Sequence, residues 1–231
     1  MFRTNTQTSE YISVVVTHEC NRNCPFCVDA YRGRKEFISR ENVWKAVSEA
    51  DRLKVRDVLL VGGEPTLHPD IVWIAKQFHD NGFHVILTTN YSVPPVVKAL
   101  DEFVDSINVS WYGQKTLPNQ KDFSADITLS ALVFKGQLDS KGKIDEFIDE
   151  HRPMQMKFST LTACNDFCKR VQSVPYLDEL EGRRFILFDE ILGQMYRNYI
   201  IKRYDRLLRP DARQSIKFHV DGTVNDHWDE K

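Results

Sequence analysis

Cys20, Cys24 and Cys27 share one short loop with the spacing Cys-x3-Cys-x2-Cys, and Gly62-Gly63-Glu64-Pro65 follows downstream. Thiolates this crowded suit the corners of an iron-sulfur cube, and a cubane used only for electron transfer takes four of them. Three leave one iron open to a substrate or cofactor, and an open coordination position separates a catalytic metal site from a structural one. Gly62 and Gly63 let backbone groups approach a ligand without interference from Cβ, while Glu64 and Pro65 stiffen the turn.

Two other uses of these cysteines have to be weighed. Zinc readily takes three thiolates and an imidazole, and His18 lies two residues before Cys20. Structural zinc sites usually draw their ligands as two short pairs, however, and zinc gives no reason for the Gly62 to Pro65 turn. A disulfide fits crowded cysteines poorly. The chain opens with polar residues from Arg3 to Glu10 rather than a secretory segment.

The elements that position these residues follow from apolar periodicity. Tyr11 to Thr17 reads as a buried strand through Val14, Val15 and Val16, with the cysteine loop directly after it. Ser39 caps a helix that carries Val43, Ala46, Val47, Ala50 and Leu53 on one face. Val58 to Val61 is the next strand and ends at the Gly-Gly-Glu-Pro turn. Pro69 suits the first turn of a helix with Ile71, Ile74, Ala75 and Phe78 inward. Further strands are expected at Phe83 to Thr88, Ser106 to Ser110, Ile127 to Phe134 and Met154 to Thr162, with helices at Val96 to Phe103 and Lys143 to Glu150. This βαβ rhythm predicts an α/β fold with a parallel sheet, whose chemistry collects at the carboxyl ends of the strands.

Composition agrees. The 231 residues are 42% hydrophobic and 28% charged, enough for one compact unit, and the net charge of -2 provides no field for recruiting nucleic acid or anionic membrane. No apolar run approaches membrane-spanning length. Five cysteines, three of them clustered, point to a reducing cytoplasm. The expectation is a single domain over 1–231, with a core at about 11–162 and an extension at about 163–231.

The cysteine loop, with Phe26 before its last cysteine, resembles the C-x3-C-x-aromatic-C hallmark of the radical S-adenosylmethionine (SAM) superfamily. The text around it, Val16 to Asn23 and Gly62 to Asp70, looks like the branch containing molybdenum cofactor synthesis enzymes and peptide maturases. The resemblance implies a partial (β/α)6 barrel, here with a short helical and β-hairpin C-terminal extension. It implies a 4Fe-4S cluster on Cys20, Cys24 and Cys27, with SAM chelating the fourth iron. Reductive cleavage of SAM would yield a 5'-deoxyadenosyl radical that abstracts hydrogen from a small-molecule, nucleotide or peptide substrate. A flavodoxin or ferredoxin-type donor would supply the electron. Gly62, Gly63 and Glu64 would orient SAM, with Thr89 and Asn90 at the third strand end, Ser110 at the fourth, and Phe26 and Leu161 near the adenine. A glycyl-radical activase is a further possibility within this chemistry, and a non-catalytic zinc or iron-sulfur module one outside it. Where the family usually reads Thr-Asn-Gly, this chain reads Thr89-Asn90-Tyr91, so the glycine turn is replaced.

Only Cys164 and Cys168 remain beyond the core, too few for a second cysteine-only cluster. In a helix over Asn165 to Val171 they share one face near the barrel mouth. They are either hydrogen donors to a substrate radical or buried inert thiols. Phe185 to Leu208 has helical spacing, and its continuation to Arg213 is basic and tyrosine-rich, either a solvated face or a hold for an anionic substrate. Ile216 to Val224 reads as a hairpin around Asp221-Gly222.

Overall fold

The computed structural model describes residues 11–29, 31–151, 155–161, 165–171, 199–202 and 216–226. Nine strands form one sheet: β1 (Tyr11–Thr17), β2 (Asp57–Gly62), β3 (His84–Thr89), β4 (Ser106–Trp111), β5 (Asp126–Val133), β6 (Gln155–Thr160), β7 (Tyr199–Lys202), β8 (Ile216–Phe218) and β9 (Val224–Asn225). Their order is β7-β6-β5-β4-β3-β2-β1-β8-β9. Every neighbouring pair is parallel except the β8–β9 hairpin. The helices are α1 (Arg40–Arg52), α2 (Ile71–Asp80), α3 (Pro94–Leu100), α4 (Lys141–His151) and α5 (Asp166–Val171).

Local chemistry explains where these elements start and stop. The Ser39 hydroxyl accepts the Asn42 N–H at 3.1 Å and caps α1. That helix ends where Lys54 takes a left-handed φ of 53°. Pro65 opens a 3-10 turn, Pro65–Leu67, and α2 starts only at Ile71, so Pro69 lies just outside the helix it was expected to begin. Between β4 and β5 the sole helical piece among the described residues is the 3-10 turn Gln120–Asp122. The fourth strand therefore lacks the α-helix of a regular (β/α)6 unit.

Burial alternates along β3, β4 and β5, with every second residue packed against helices. Ile12, Val14, Leu60, Leu87, Ile107, Leu129 and Phe158 meet Val43, Ala46, Ile74, Phe78, Ile144 and Phe147 in one continuous core. Truncating a fully buried member such as Leu60 to alanine costs about 2–5 kcal/mol. Thr88, Asn108, Ser110, Thr128 and Ser130 fall on the other, half-open face.

Two expectations for the last third are corrected. Tyr199–Lys202, expected within a helix, is a strand paired with β6, where a sheet edge offers hydrogen bonds that helical spacing alone does not reveal. The rest of that expected helix and of the basic stretch lies outside the described residues. The expected hairpin is present, yet β8 is not a separate appendage. It runs parallel to β1, with Ser13 opposite Lys217 and Val14 opposite Phe218. Among the described residues no helix is long and apolar enough to cross a membrane.

Candidate cofactor site at the strand ends

The cysteine loop leaves β1 at Thr17 and is fixed by its own backbone. Thr17 Oγ1 donates to the Glu36 carbonyl at 2.7 Å, and the Gly33 N–H donates to the His18 carbonyl at 2.6 Å. The Cys27 N–H reaches the Cys24 carbonyl at 3.2 Å, and the Arg32 guanidinium donates to the same carbonyl. Cys20, Cys24 and Cys27 form no disulfide and are half-buried. Burial pushes the thiols of Cys20 and Cys24 up, with mutual repulsion among the three sulfurs adding to it. The Arg22 N–H points at the Cys20 sulfur at 3.4 Å, and the Arg22 charge acts in the opposite direction from burial.

His18 is turned to other work. Its Nδ1 pairs with Asp29 at 3.0 Å, both side chains are buried, and its ring meets Tyr31 edge-on. Among the described residues no three His, Cys, Asp or Glu side chains close on one metal ion. A cubane makes no such demand, because each thiolate meets a different iron. Three neighbouring thiols outside any disulfide, with a backbone donor at one of them, fit a cluster better than a Cys3His zinc site.

Gly62 and Gly63 leave no room for a side chain. A Cβ on Gly62 would stand 2.2 Å from the Thr17 carbonyl oxygen, and one on Gly63 would stand 2.2 Å from that of Glu19 and 2.7 Å from that of His18. Gly62 also has a φ of 141°. The Gly63 and Glu64 N–H groups donate to the Thr17 and Glu19 carbonyls, each at 2.7 Å. The space that a side chain would fill is thus taken by the start of the cysteine loop, and both N–H groups are spent holding it.

Glu64 is 1% exposed, and its carboxylate accepts four hydrogen bonds. Oε1 takes the Thr66 N–H at 3.1 Å, the Thr66 hydroxyl at 2.6 Å and the Thr89 hydroxyl at 2.7 Å, while Oε2 takes the Asn90 N–H at 2.6 Å. Glu64 and Thr89, both expected to orient SAM, tie the end of β2 to the end of β3. The Thr89 oxygen also accepts the Tyr91 N–H at 3.0 Å. Asn90 extends the network, donating through Nδ2 to Asn21 Oδ1 at 2.9 Å, while Asn21 Nδ2 donates to the Ser92 hydroxyl at 2.8 Å. Tyr91, in the place of the family's glycine, adopts φ 58°, so the left-handed turn is kept without the residue that makes it easy.

The far side of the loop is aromatic. Phe26 stacks on Tyr112 at 5.9 Å with an interplanar angle of 11°, and meets Phe134 at 5.6 Å and Phe167 at 6.5 Å. Leu161 and Cys168 are buried in the same group. Arg22 lies over the Tyr112 ring at 4.8 Å. Burial pushes the Tyr112 phenol up to about 12, against a hydrogen bond from Ser110. Cys168 is fully buried, the inert-thiol arrangement of the two considered; Cys164 lies outside the described residues. Sequence reasoning missed Asn21, Tyr112, Phe134 and Asn165, which join the site through contacts distant in sequence. Only Tyr112, two residues after Ser110, carried a local hint.

The half-open face of the sheet leads away from this corner. Register places Ser110 beside Ser130 and Ser130 beside Lys157, with Asn108 beside Thr128 one step lower. Met156 and Phe158 pack on the helix side, so Lys157 belongs to the open one.

Residues 14–113 match the Radical SAM superfamily model. With the parallel sheet and the cysteine loop, this match makes that part of the chain similar to the radical SAM superfamily, whose enzymes use a 4Fe-4S cluster and SAM. The chain is 28% identical over 228 residues to a probable GTP 3',8-cyclase of Thermococcus kodakarensis, covering 91% of this chain and 66% of that protein. It is 28% identical over 137 residues to a glycyl-radical enzyme activating enzyme of Methanocaldococcus jannaschii, covering 59% of this chain and 50% of that protein. The chain thus spans less than two thirds of either relative. In fold it is similar to SuiB of Streptococcus suis bound to S-adenosylmethionine, with a TM-score of 0.66 at 15% identity over 94% of this chain and 59% of that one.

Proposed function

We propose that this chain cleaves SAM reductively at a 4Fe-4S cluster and directs the resulting radical at a polar substrate, with a nucleotide as the first candidate. When bound, the cluster and SAM supply the 5'-deoxyadenosyl radical that abstracts a hydrogen atom. Cys20, Cys24 and Cys27 would hold three irons and leave the fourth for SAM. The seating of residues 17–19 on Gly62 and Gly63 fixes where those thiolates stand. Phe26 and Leu161 offer an apolar wall suited to adenine, and Ser110 a hydroxyl suited to ribose or carboxylate. Glu64, Thr89 and Asn90 position rather than bind.

One observation carries the reading: three half-buried thiols, none in a disulfide, lie at the carboxyl end of β1, in a loop seated on a glycine turn from β2. The polar substrate is supported by the hydroxyl and amide groups of the open face and by the cation of Lys157. The GTP cyclase named among the relatives points the same way. A flavodoxin or ferredoxin-type donor is the electron source, since a thiolate cluster with ferredoxin-like tuning sits at about −400 mV, the range of a low-potential carrier.

The test is anaerobic reconstitution. Iron and sulfide should approach about four each per chain, and dithionite with SAM should release 5'-deoxyadenosine and methionine. Single serine variants of Cys20, Cys24 and Cys27 should abolish release. Stoichiometric zinc with no SAM cleavage defeats the proposal.

A further inference from the structure

We propose that Asn165 is a positioning residue for the cysteine loop, its one amide fixing helix α5 through the oxygen and the loop through the nitrogen. Oδ1 accepts the Cys168 N–H at 3.0 Å, the pattern of an N-cap. Nδ2 donates to the Pro25 carbonyl at 2.9 Å. A cap requires only the oxygen, and serine, threonine or aspartate supply it equally well. The nitrogen is what capping does not explain, and it reaches a residue lying between Cys24 and Cys27.

Helix α5 makes a firm post for this tie. Its far end is held where the Lys135 N–H donates to the Val171 carbonyl at 2.9 Å. Its inner side packs Phe167, Cys168 and Val171 against Phe134, Leu161 and Phe26. Proline has no N–H, so the carbonyl is the only backbone hydrogen-bonding handle Pro25 offers. Other ties on the loop reach different places, among them Asn21 to Asn90 and Ser92 beyond β3, Arg32 to the Cys24 carbonyl from within the same segment, and Gly63 and Glu64 to the Thr17 and Glu19 carbonyls. Asn165 therefore sets Cys24 and Cys27 relative to the carboxyl end of β6, where Leu161 lies. The consequence for SAM rests on the function proposed above; the tie itself does not.

Asn165→Ser separates the two roles, because its hydroxyl caps α5 but is too short to reach Pro25; Asn165→Ala removes both. Amide hydrogen exchange of the full chain without cluster reads the result. The Cys27 amide, bonded to the Cys24 carbonyl across Pro25, should exchange about 5-fold faster in both variants, the factor corresponding to about 1 kcal/mol of hydrogen bond. The Cys168 and Lys169 amides of α5 should quicken only in Asn165→Ala. In reconstituted protein, Asn165→Ser should raise the KM for SAM several-fold while kcat changes little. An unchanged Cys27 amide in Asn165→Ser overturns the proposal and leaves a plain helix cap. Equal quickening of the α5 amides in Asn165→Ser overturns it as well, since the whole helix has then loosened. Exchange as expected in a protein that cleaves no SAM would overturn the function proposed above and leave the tether standing.

Discussion

Glu64 Oε2 accepts the backbone N–H of Asn90 at 2.6 Å, which makes a buried carboxylate with no lysine or arginine in its hydrogen-bond set the joint between β2 and β3. Its charge is balanced by four hydrogen-bond donors, and the joint passes through Asn90 to Asn21 in the cysteine loop. The motif glutamate thus clamps two strand ends together in three dimensions.

Glu64→Gln tests the clamp. The amide oxygen can replace Oε1, but the NH2 group then faces the Asn90 N–H, donor against donor. Urea unfolding should show a loss of about 1–3 kcal/mol, and SAM affinity should fall with it. Parent stability in this variant would mean that the hydrogen bond from the Asn90 N–H to Oε2 contributes nothing net.

Gly63→Ala places a methyl group against the carbonyls of Glu19 and His18, backbone that cannot swing aside. The expected loss exceeds about 2 kcal/mol, with iron retention after desalting well below the parent. Gly82→Ala is the control. Unlike Gly63 it has a positive φ, 80°, but the space around its Cβ is open, so a cost of about 1 kcal/mol is expected there. Similar losses in the two variants would refute the seating of the cysteine loop on Gly63.

His68 makes stability depend on pH. Its Nδ1 accepts the Asp70 N–H at 3.0 Å and its Nε2 donates to the Ile38 carbonyl, and burial holds its pKa below the ordinary imidazole value. The folded state therefore binds fewer protons than the unfolded one. Its contribution is complete above about pH 6.5 and is lost as pH falls from there through the depressed folded value. His68→Gln should flatten the fall in urea midpoint between neutral and mildly acidic pH. His151, shifted in the same direction by partial burial, leaves a residual slope. An identical slope in parent and variant would remove His68 from the account.

Cys168→Ala addresses the donor idea for the C-terminal thiols. A side chain enclosed by Phe134 and Leu161 is expected to serve packing, so the variant should lose about 1 kcal/mol of stability. Product yield and solvent deuterium incorporation should stay at parent levels. A drop in deuterium incorporation would restore Cys168 as a hydrogen donor.

Much of the architecture was legible along the chain. Alternating burial and helical stripes gave β1 to β6 and four helices with ends shifted by only a few residues, because apolar period and caps such as Ser39 act within one or two turns. The helical spacing around Tyr199 misled, since Tyr199–Lys202 answers to a sheet edge offered by β6. The glycine pair was legible as a place where Cβ is excluded, but not what excludes it.

The cysteine spacing, the Gly-Gly-Glu-Pro turn and the βαβ rhythm are properties of neighbours in the chain, so the sequence by itself determined the class of chemistry and the layout of the parallel sheet. Tertiary structure alone decided that Glu64 closes on Thr89 and Asn90, that Asn165 reaches Pro25, and that β8 lies beside β1. Each of those contacts joins residues 25 to about 200 positions apart. No local preference acts over such distances; which donor meets which acceptor is fixed only once the sheet register and the packed core have brought the strand ends together.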